Sequence, residues 1–260
     1  HYEKGAEMSA TDAATRPHDS RGSFSKVLAI QIVAYVVLVV LALIPGISYG
    51  NPDNPAIVSY TVVASVVMIV LLTVFSPFRD GTVGHVISVI AGLLSVVCAT
   101  TMMLGRAIFP ADIAHRDTFW MQEGWIAGVG GLLVLLIVIV FGRQMARENR
   151  THLIRSLSHN VLEGVAMISS AGWCFLPTIL PLVHTGENAA STEYGSMLAW
   201  VIASVVTLAV IVAFGVCSYL WRRDADPDPK ANKPWIGLAL VPVMLAGAAV
   251  GIASLATVMF

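Results

Sequence analysis

The chain has 260 residues, of which 57% are hydrophobic and only 12% are charged, and its mean hydropathy is +0.79. Soluble domains carry charge on about a quarter of their residues, so this composition is typical of a membrane protein. The net charge of −1 argues against a nucleic-acid-binding protein, and three cysteines are too few for a disulfide scaffold. We therefore expect an integral membrane protein with no nucleic-acid partner.

The first 25 residues differ in composition from the rest of the chain. Residues 1–7 precede Met8, and the sequence that starts at Met8 resembles a natural bacterial N-terminus, so we interpret residues 1–7 as an artificial remnant. The stretch that continues to Ser25 has almost no large apolar side chain and is predicted to be a polar cytoplasmic leader. Residues 26–260 are predicted to form one transmembrane domain.

Seven apolar stretches follow the leader. Each is close to the 20 or so residues that a helix needs to cross about 30 Å of hydrocarbon. Only helices and closed barrels satisfy the backbone in lipid, and these stretches lack the alternation of barrel strands. The sequence therefore predicts an all-α, polytopic bundle of seven transmembrane helices, at about 26–48, 56–77, 85–108, 124–142, 157–183, 196–221 and 235–259.

The distribution of lysine and arginine predicts the orientation of the bundle. Twelve of these residues lie just before span 1 or between spans 2 and 3, 4 and 5, and 6 and 7, whereas the opposite loops hold only Arg106 and Arg116. Basic loops stay in the cytoplasm, so the N-terminus is predicted to be cytoplasmic and the C-terminus extracytoplasmic. With the bacterial type of N-terminus, this predicts a multi-pass protein of the bacterial cytoplasmic (inner) membrane.

Glu163 is the only acidic residue well inside a predicted span. A helix places Glu163 and His159 on one face, with Asn160 beside them. Because ionisable groups within a membrane are costly, we predict that His159, Asn160 and Glu163 form a cytoplasm-facing ligand site for a proton, a cation or a polar head group. The alternative places Glu163 at the hydrated interface near Arg155, since residues 164–183 already supply a span. His85, alone at the start of span 3, is a weaker candidate.

The sequence contains no pattern that predicts catalysis or a cofactor. It lacks the spacing of a zinc site, a phosphate-binding loop, a nucleophile elbow and a dinucleotide-binding glycine pattern. The last span has no lysine that could carry a retinal Schiff base. We therefore predict no catalytic residue, metal or cofactor, and an enzyme is the least favoured function class.

Gly247 and Gly251 form a GxxxG motif in the last span, which predicts the close approach of another helix. The pattern leaves open whether that helix belongs to this chain or to a partner. Pro177 and Pro181 in span 5, and Pro242 in span 7, predict kinks or helix ends because proline removes a helical hydrogen bond.

These features favour transport of a small or amphipathic solute, by the chain alone or within a membrane transport complex. The hairpin organisation, the prolines and the polar residues around Glu163 support transport. The alternative is a non-catalytic membrane subunit or scaffold, supported by the scarcity of charge within the spans and by the GxxxG motif. Besides the lipid bilayer, the expected partners are another membrane subunit at the last helix, or a cytoplasmic protein at the basic loops.

Overall fold

The computed structural model describes residues 24–49, 56–78, 82–101, 121–146, 153–180, 197–224 and 233–259. Within these ranges the regular structure is helical, with no strand. The predicted leader, apart from Phe24 and Ser25, lies outside them, as do six of the twelve basic residues that predict the orientation. The long helices are α1 (Phe24–Tyr49), α2 (Ala56–Val74), α3 (Thr82–Thr100), α4 (Met121–Met145), α5 (Leu153–Ser170), α6 (Met197–Asp224) and α7 (Pro234–Met259). Helix α5 continues as a 3-10 segment, Ala171–Phe175, and a last α-helical turn, Leu176–Ile179.

Most of these helices have the length and composition of membrane spans. Six are long and apolar enough to cross a bilayer, and α2 contributes a shorter apolar stretch, Tyr60–Val74. The all-helical architecture expected from the sequence is confirmed for the described residues, and the apolar helices indicate a multi-pass membrane protein.

Helices α5 and α7 occupy the centre of the bundle. In an apolar stretch of 18 residues taken from each span, 83% of the residues are buried in Leu157–Ile179 and 72% in Pro234–Thr257, against 22% in the stretch from α1 and 17% in that from α6. Helix α5 packs against α3, α4 and α7, while α7 also packs against α1 and α6. Large apolar side chains such as Val33, Val36, Val205 and Leu208 are exposed on α1 and α6. These outer faces are therefore suited to lipid.

The two glycines of the GxxxG motif pack inside this chain. A Cβ atom on Gly247 would overlap the backbone oxygen of Ser169 in α5 and lie 2.8 Å from Cδ1 of Trp173. A Cβ atom on Gly251 would lie 2.6 Å from Cη2 of Trp125 in α4. The predicted close approach is thus made by elements of the same chain. A partner subunit that binds the last helix would have to use another face of α7.

Helix α5 changes from α to 3-10 geometry in the interior of the bundle. Ala171, Trp173 and Cys174 are almost completely buried in this segment. Irregular backbone is tolerated at membrane depth only where the protein supplies hydrogen-bond partners. Hydroxyl groups from α2 and α3 donate to carbonyl oxygens around the change: Ser95 to Ile168 (2.7 Å), Ser65 to Ser170 (3.0 Å) and Thr61 to Cys174 (3.2 Å). The proline-rich part of span 5 is therefore a supported interruption of the helix.

Candidate functional site

Glu163 is completely buried in α5. It lies near the end of the bundle at which α2 ends and α3, α5 and α7 begin, which we call the basic end because the predicted basic loops join helices there. The relative exposure of Glu163 is 0%. Removing a carboxylate from water costs several kcal/mol unless charges and hydrogen bonds compensate. The partners of this side chain therefore decide what the site can do.

Side chains from two other parts of the fold lie within hydrogen-bonding distance of one oxygen of the Glu163 carboxylate. The hydroxyl of Ser76, in the segment after α2, donates to Glu163 Oε1 at 2.7 Å. Nδ1 of His85, in the first turn of α3, lies 2.8 Å from the same oxygen. The Ser76 hydroxyl also accepts the backbone N–H of Phe78 at 3.2 Å, which fixes its orientation. The carboxylate thus joins three separate parts of the fold.

The second oxygen, Glu163 Oε2, is buried and has no hydrogen-bond partner within the described part of the chain. An ionised carboxylate accepts hydrogen bonds at both oxygens. Buried polar groups nearly always have a hydrogen-bond partner. A buried polar atom that lacks one is a recognised feature of functional sites. The site therefore holds one satisfied oxygen and one oxygen that can accept a donor.

Asn160 lies between α5 and α3, and Gly84 brings the two helices together there. Asn160 is 6% exposed, and a Cβ atom on Gly84 would lie 2.6 Å from its Oδ1 atom. The absence of that Cβ lets α3 approach α5 closely. Because His85 is the next residue of α3, this approach brings its imidazole within reach of Glu163.

His159 faces an aromatic group at the same end of the bundle. Its ring centroid is 4.8 Å from that of Phe78, with an interplanar angle of 41°. Phe78 also stacks against Trp221 of α6, at 5.8 Å between centroids and 30° between planes. Phe78 is almost completely buried, whereas His159 and Trp221 are partly exposed. An apolar, aromatic surface therefore begins one helical turn from the carboxylate.

Helix α7 holds the segment that carries Ser76. A Cβ atom on Gly237 would overlap the backbone oxygen of Phe75 and lie 2.5 Å from Cδ of Pro77. The first turns of α7 thus press directly on residues 75–77. The position of the Ser76 hydroxyl depends on this contact as well as on α2.

A second polar group lies at the opposite end of the bundle. Nε2 of Gln122 donates to the Ser254 hydroxyl at 3.1 Å, and the Thr178 hydroxyl lies 2.5 Å from the same oxygen. Ser254 is completely buried, and Gln122 is 6% exposed. These hydrogen bonds join α4, α7 and the last turn of the α5 segment, so polar side chains lie between helices at both ends.

The sequence located the carboxylate but not its partners. The structure buries both Glu163 and Asn160, and this does not support the alternative of a hydrated Glu163 at the interface. The side chain of Arg155 lies outside the described residues. His85, the weaker candidate, contacts Glu163 directly, and so does Ser76, which the sequence does not mark as a site residue. Its Ser-Pro sequence reads only as a helix end, and no local signal links it to Glu163.

Comparison with protein families, with curated protein sequences and with solved structures finds no match to this chain.

Proposed function

We propose that this chain is a seven-helix protein of the bacterial cytoplasmic membrane that transports a small or amphipathic solute, alone or within a membrane transport complex. Glu163 is the centre of its solute site. One observation carries the proposal: a carboxylate that is completely buried among membrane helices has an oxygen, Oε2, with no partner in the described structure. An ionisable residue placed at such cost in a membrane helix favours function over packing.

The surroundings of Glu163 favour a particular kind of solute. Oε2 requires a hydrogen-bond donor, such as an ammonium or hydroxyl group. The aromatic group of Phe78, His159 and Trp221 lies close by and suits an apolar or cationic part of the same molecule. A solute with a donor head and an apolar body fits both features, and Asn160 adds an amide at the same end.

The interruption of α5 also supports transport. Discontinuous membrane helices at the centre of a bundle are typical of transporters, where they line binding sites and allow parts of the protein to move. In this chain the most buried span contains both Glu163 and the 3-10 segment, Ala171–Phe175. A movement at that segment would be transmitted along α5 to the carboxylate.

Transport can be tested with purified chain in liposomes. The probes are radiolabelled ethanolamine and dodecylamine, which are small and amphipathic amines, and fluorescent phosphatidylethanolamine. We expect at least one probe to cross faster than in protein-free liposomes, and Glu163→Gln to abolish the difference. Glu123→Gln, the same change in the first turn of α4, should retain it.

The alternative, a non-catalytic subunit or scaffold, is supported by the large uncovered faces of α1 and α6. It replaces the transport proposal if none of the probes crosses above the protein-free rate and the chain is isolated from its membrane in stoichiometric complex with another membrane protein. An active wild-type chain whose activity survives Glu163→Gln would refute the assignment of the site.

The proposed topology has its own test. Single cysteines are introduced in a background in which Cys98, Cys174 and Cys217 are replaced. In intact cells, an impermeant thiol reagent should label the cysteines placed on the outside, and it should label those on the inside only after permeabilisation. The outside positions are Asp53, His115 and Glu187, and the inside positions are Arg79, Arg147 and Asp228. Labelling of position 147 in intact cells would overturn the orientation. If position 53 were labelled only after permeabilisation, with position 79 and the N-terminus also inside, both α1 and α2 would be removed from the count of spans.

A further inference from the structure

We infer that His85 and Glu163 exchange a proton, and that H⁺ is the ion whose movement is coupled to the solute. This inference rests on the transport function proposed above. Its first support is geometric: Nδ1 of His85 lies 2.8 Å from Glu163 Oε1, within hydrogen-bonding distance for direct transfer. The transfer takes the proton from Nδ1 of the imidazolium to Oε1 of the carboxylate and leaves a neutral imidazole and a carboxylic acid.

The second support is the difference in exposure between the two side chains. The side chain of His85 is 20% exposed, whereas that of Glu163 is 0% exposed. His85 therefore lies between the surface at the basic end and the buried carboxylate. Histidine is suited to this position because it gains and loses a proton readily near neutral pH.

The two oxygens of Glu163 have different roles in this scheme. Oε1 receives the proton, while Oε2 accepts the donor group of the solute. When a proton reaches Oε1, the negative charge is removed from the whole carboxyl group, and Oε2 becomes the carbonyl oxygen of an acid. That oxygen is a weaker acceptor than one of an ionised carboxylate. Protonation would therefore weaken solute binding, and loss of the proton would strengthen it.

Other titratable groups near the pair are few in the described structure. His159 lies on α5 itself, one turn from Glu163. Arg143 lies on α4, about two turns towards the basic end from Leu136, the residue that contacts Gly164. Lys233 precedes α7 and is exposed. The described parts of α2 and of the segment that follows it contribute only uncharged groups, Ser76 among them, so His85 is the titratable group hydrogen-bonded to the carboxylate.

Infrared difference spectroscopy tests the exchange without any solute. Spectra of the purified wild-type chain in lipid, recorded between acidic and alkaline buffer, should contain a C=O band of the buried Glu163 acid at higher wavenumber than the bands of the water-exposed carboxyl groups among the sixteen Asp and Glu residues. We expect Glu163→Gln to lose this band, His85→Gln to shift the pH at which it appears, and Glu123→Gln to leave it unchanged. A band that survives Glu163→Gln, or that is unaffected by His85→Gln, would overturn the inference. Glu163→Asp serves as a second variant if Glu163→Gln does not fold.

Proton flux tests the coupling. Because protonation of Glu163 weakens solute binding, entry of the probe should be exchanged for exit of H⁺, so liposomes that contain the wild-type chain and an internal pH dye should alkalinise faster than protein-free liposomes when a transported amine probe is added outside. Both Glu163→Gln and His85→Gln should reduce the flux to that of protein-free liposomes. Probe transport without any proton movement would refute the coupling but leave the transport proposal intact. If no probe is transported, the transport proposal fails, whereas the infrared titration still decides whether the pair exchanges a proton.

Discussion

The contact between Gly251 and Trp125 gives a quantitative test of how closely α7 packs against α4. A Cβ atom on Gly251 would lie 2.6 Å from Cη2 and 3.0 Å from Cε3 of Trp125. Carbon atoms in contact are ordinarily about 3.5–4.0 Å apart, and the added Cβ would overlap Cζ3 of Trp125, so Gly251→Ala would place its methyl carbon more than about 1 Å too close to the indole. The indole cannot move freely, because it is 2% exposed and its N–H group donates to the Ser95 hydroxyl at 3.1 Å.

The expected penalty follows from this overlap. Adding a methyl group to a packed core costs about 1–3 kcal/mol of unfolding free energy. Within a helix, alanine is also more favourable than glycine by about 1 kcal/mol, which offsets part of the loss. Gly131→Ala is a matched control, because it makes the same change in α4 at a position with no neighbouring atom within 4 Å. The difference between the two variants isolates the packing penalty.

A double substitution attributes the penalty to the indole. Trp125→Phe removes the outer ring that Gly251→Ala would strike, at the cost of the hydrogen bond to Ser95. The two changes together should therefore destabilise the chain less than the sum of the single changes, with a coupling of about 0.5–3 kcal/mol. Equilibrium unfolding in mixed micelles, followed by circular dichroism, measures the wild type, the two single variants, the double variant and the Gly131→Ala control. If Gly251→Ala is as stable as Gly131→Ala, or if the two changes are additive, the close packing of α7 on Trp125 is refuted.

Three further substitutions test other contacts by the same unfolding assay. Gly84→Ala should cost about 1–3 kcal/mol because its methyl group meets the Asn160 amide, whereas Gly130→Ala, with no atom within 4 Å, should stabilise the chain slightly through helix propensity; equal stabilities would contradict the approach of α3 to α5. Gly237→Ala should be destabilising by a similar amount because it displaces the segment after α2, and an unchanged stability would show that α7 does not hold that segment. Trp173→Phe removes the N–H group that donates to the Val243 carbonyl at 2.9 Å and also leaves a cavity in the buried core, so it should cost more than about 1 kcal/mol; no loss would mean that neither the bond nor the packing of this ring stabilises the bundle.

The positions of the helices could be predicted from the sequence because they depend on local composition. The predicted stretch 235–259 corresponds to Pro234–Met259, and 26–48 corresponds to Phe24–Tyr49. The prediction was less accurate in span 3, where 85–108 corresponds to a helix over Thr82–Thr100, and in span 5, where the stretch 157–183 is divided into α5, a 3-10 segment and a single turn. The prolines indicated an interruption, but its place depends on hydroxyl groups from α2 and α3.

The site could be predicted only in part for a related reason. Glu163 is conspicuous because an acidic residue is rare within an apolar stretch, and helical periodicity places His159 and Asn160 near it. His85 is 78 residues away in the chain, and Ser76 is 87 residues away. Their contact with Glu163 depends on the packing of α3 and α7 against α5, which a single sequence does not specify. The GxxxG motif has the same limit, since it predicts a close neighbour without identifying it.

The glycine contacts make it possible to separate packing from chemistry in this bundle. Gly84 positions the residue that contacts Glu163, whereas Gly251 packs against Trp125 in another part of the fold. Gly84→Ala and Gly251→Ala should therefore have similar effects on unfolding, since both add a methyl group to a buried contact. Only Gly84→Ala should also alter the infrared band of the protonated carboxyl group, because it pushes α3 and its imidazole away from α5. An altered band in both variants would mean that the band reports general loosening of the bundle. A band altered in neither would mean that the approach of α3 at Gly84 does not set the distance between His85 and Glu163.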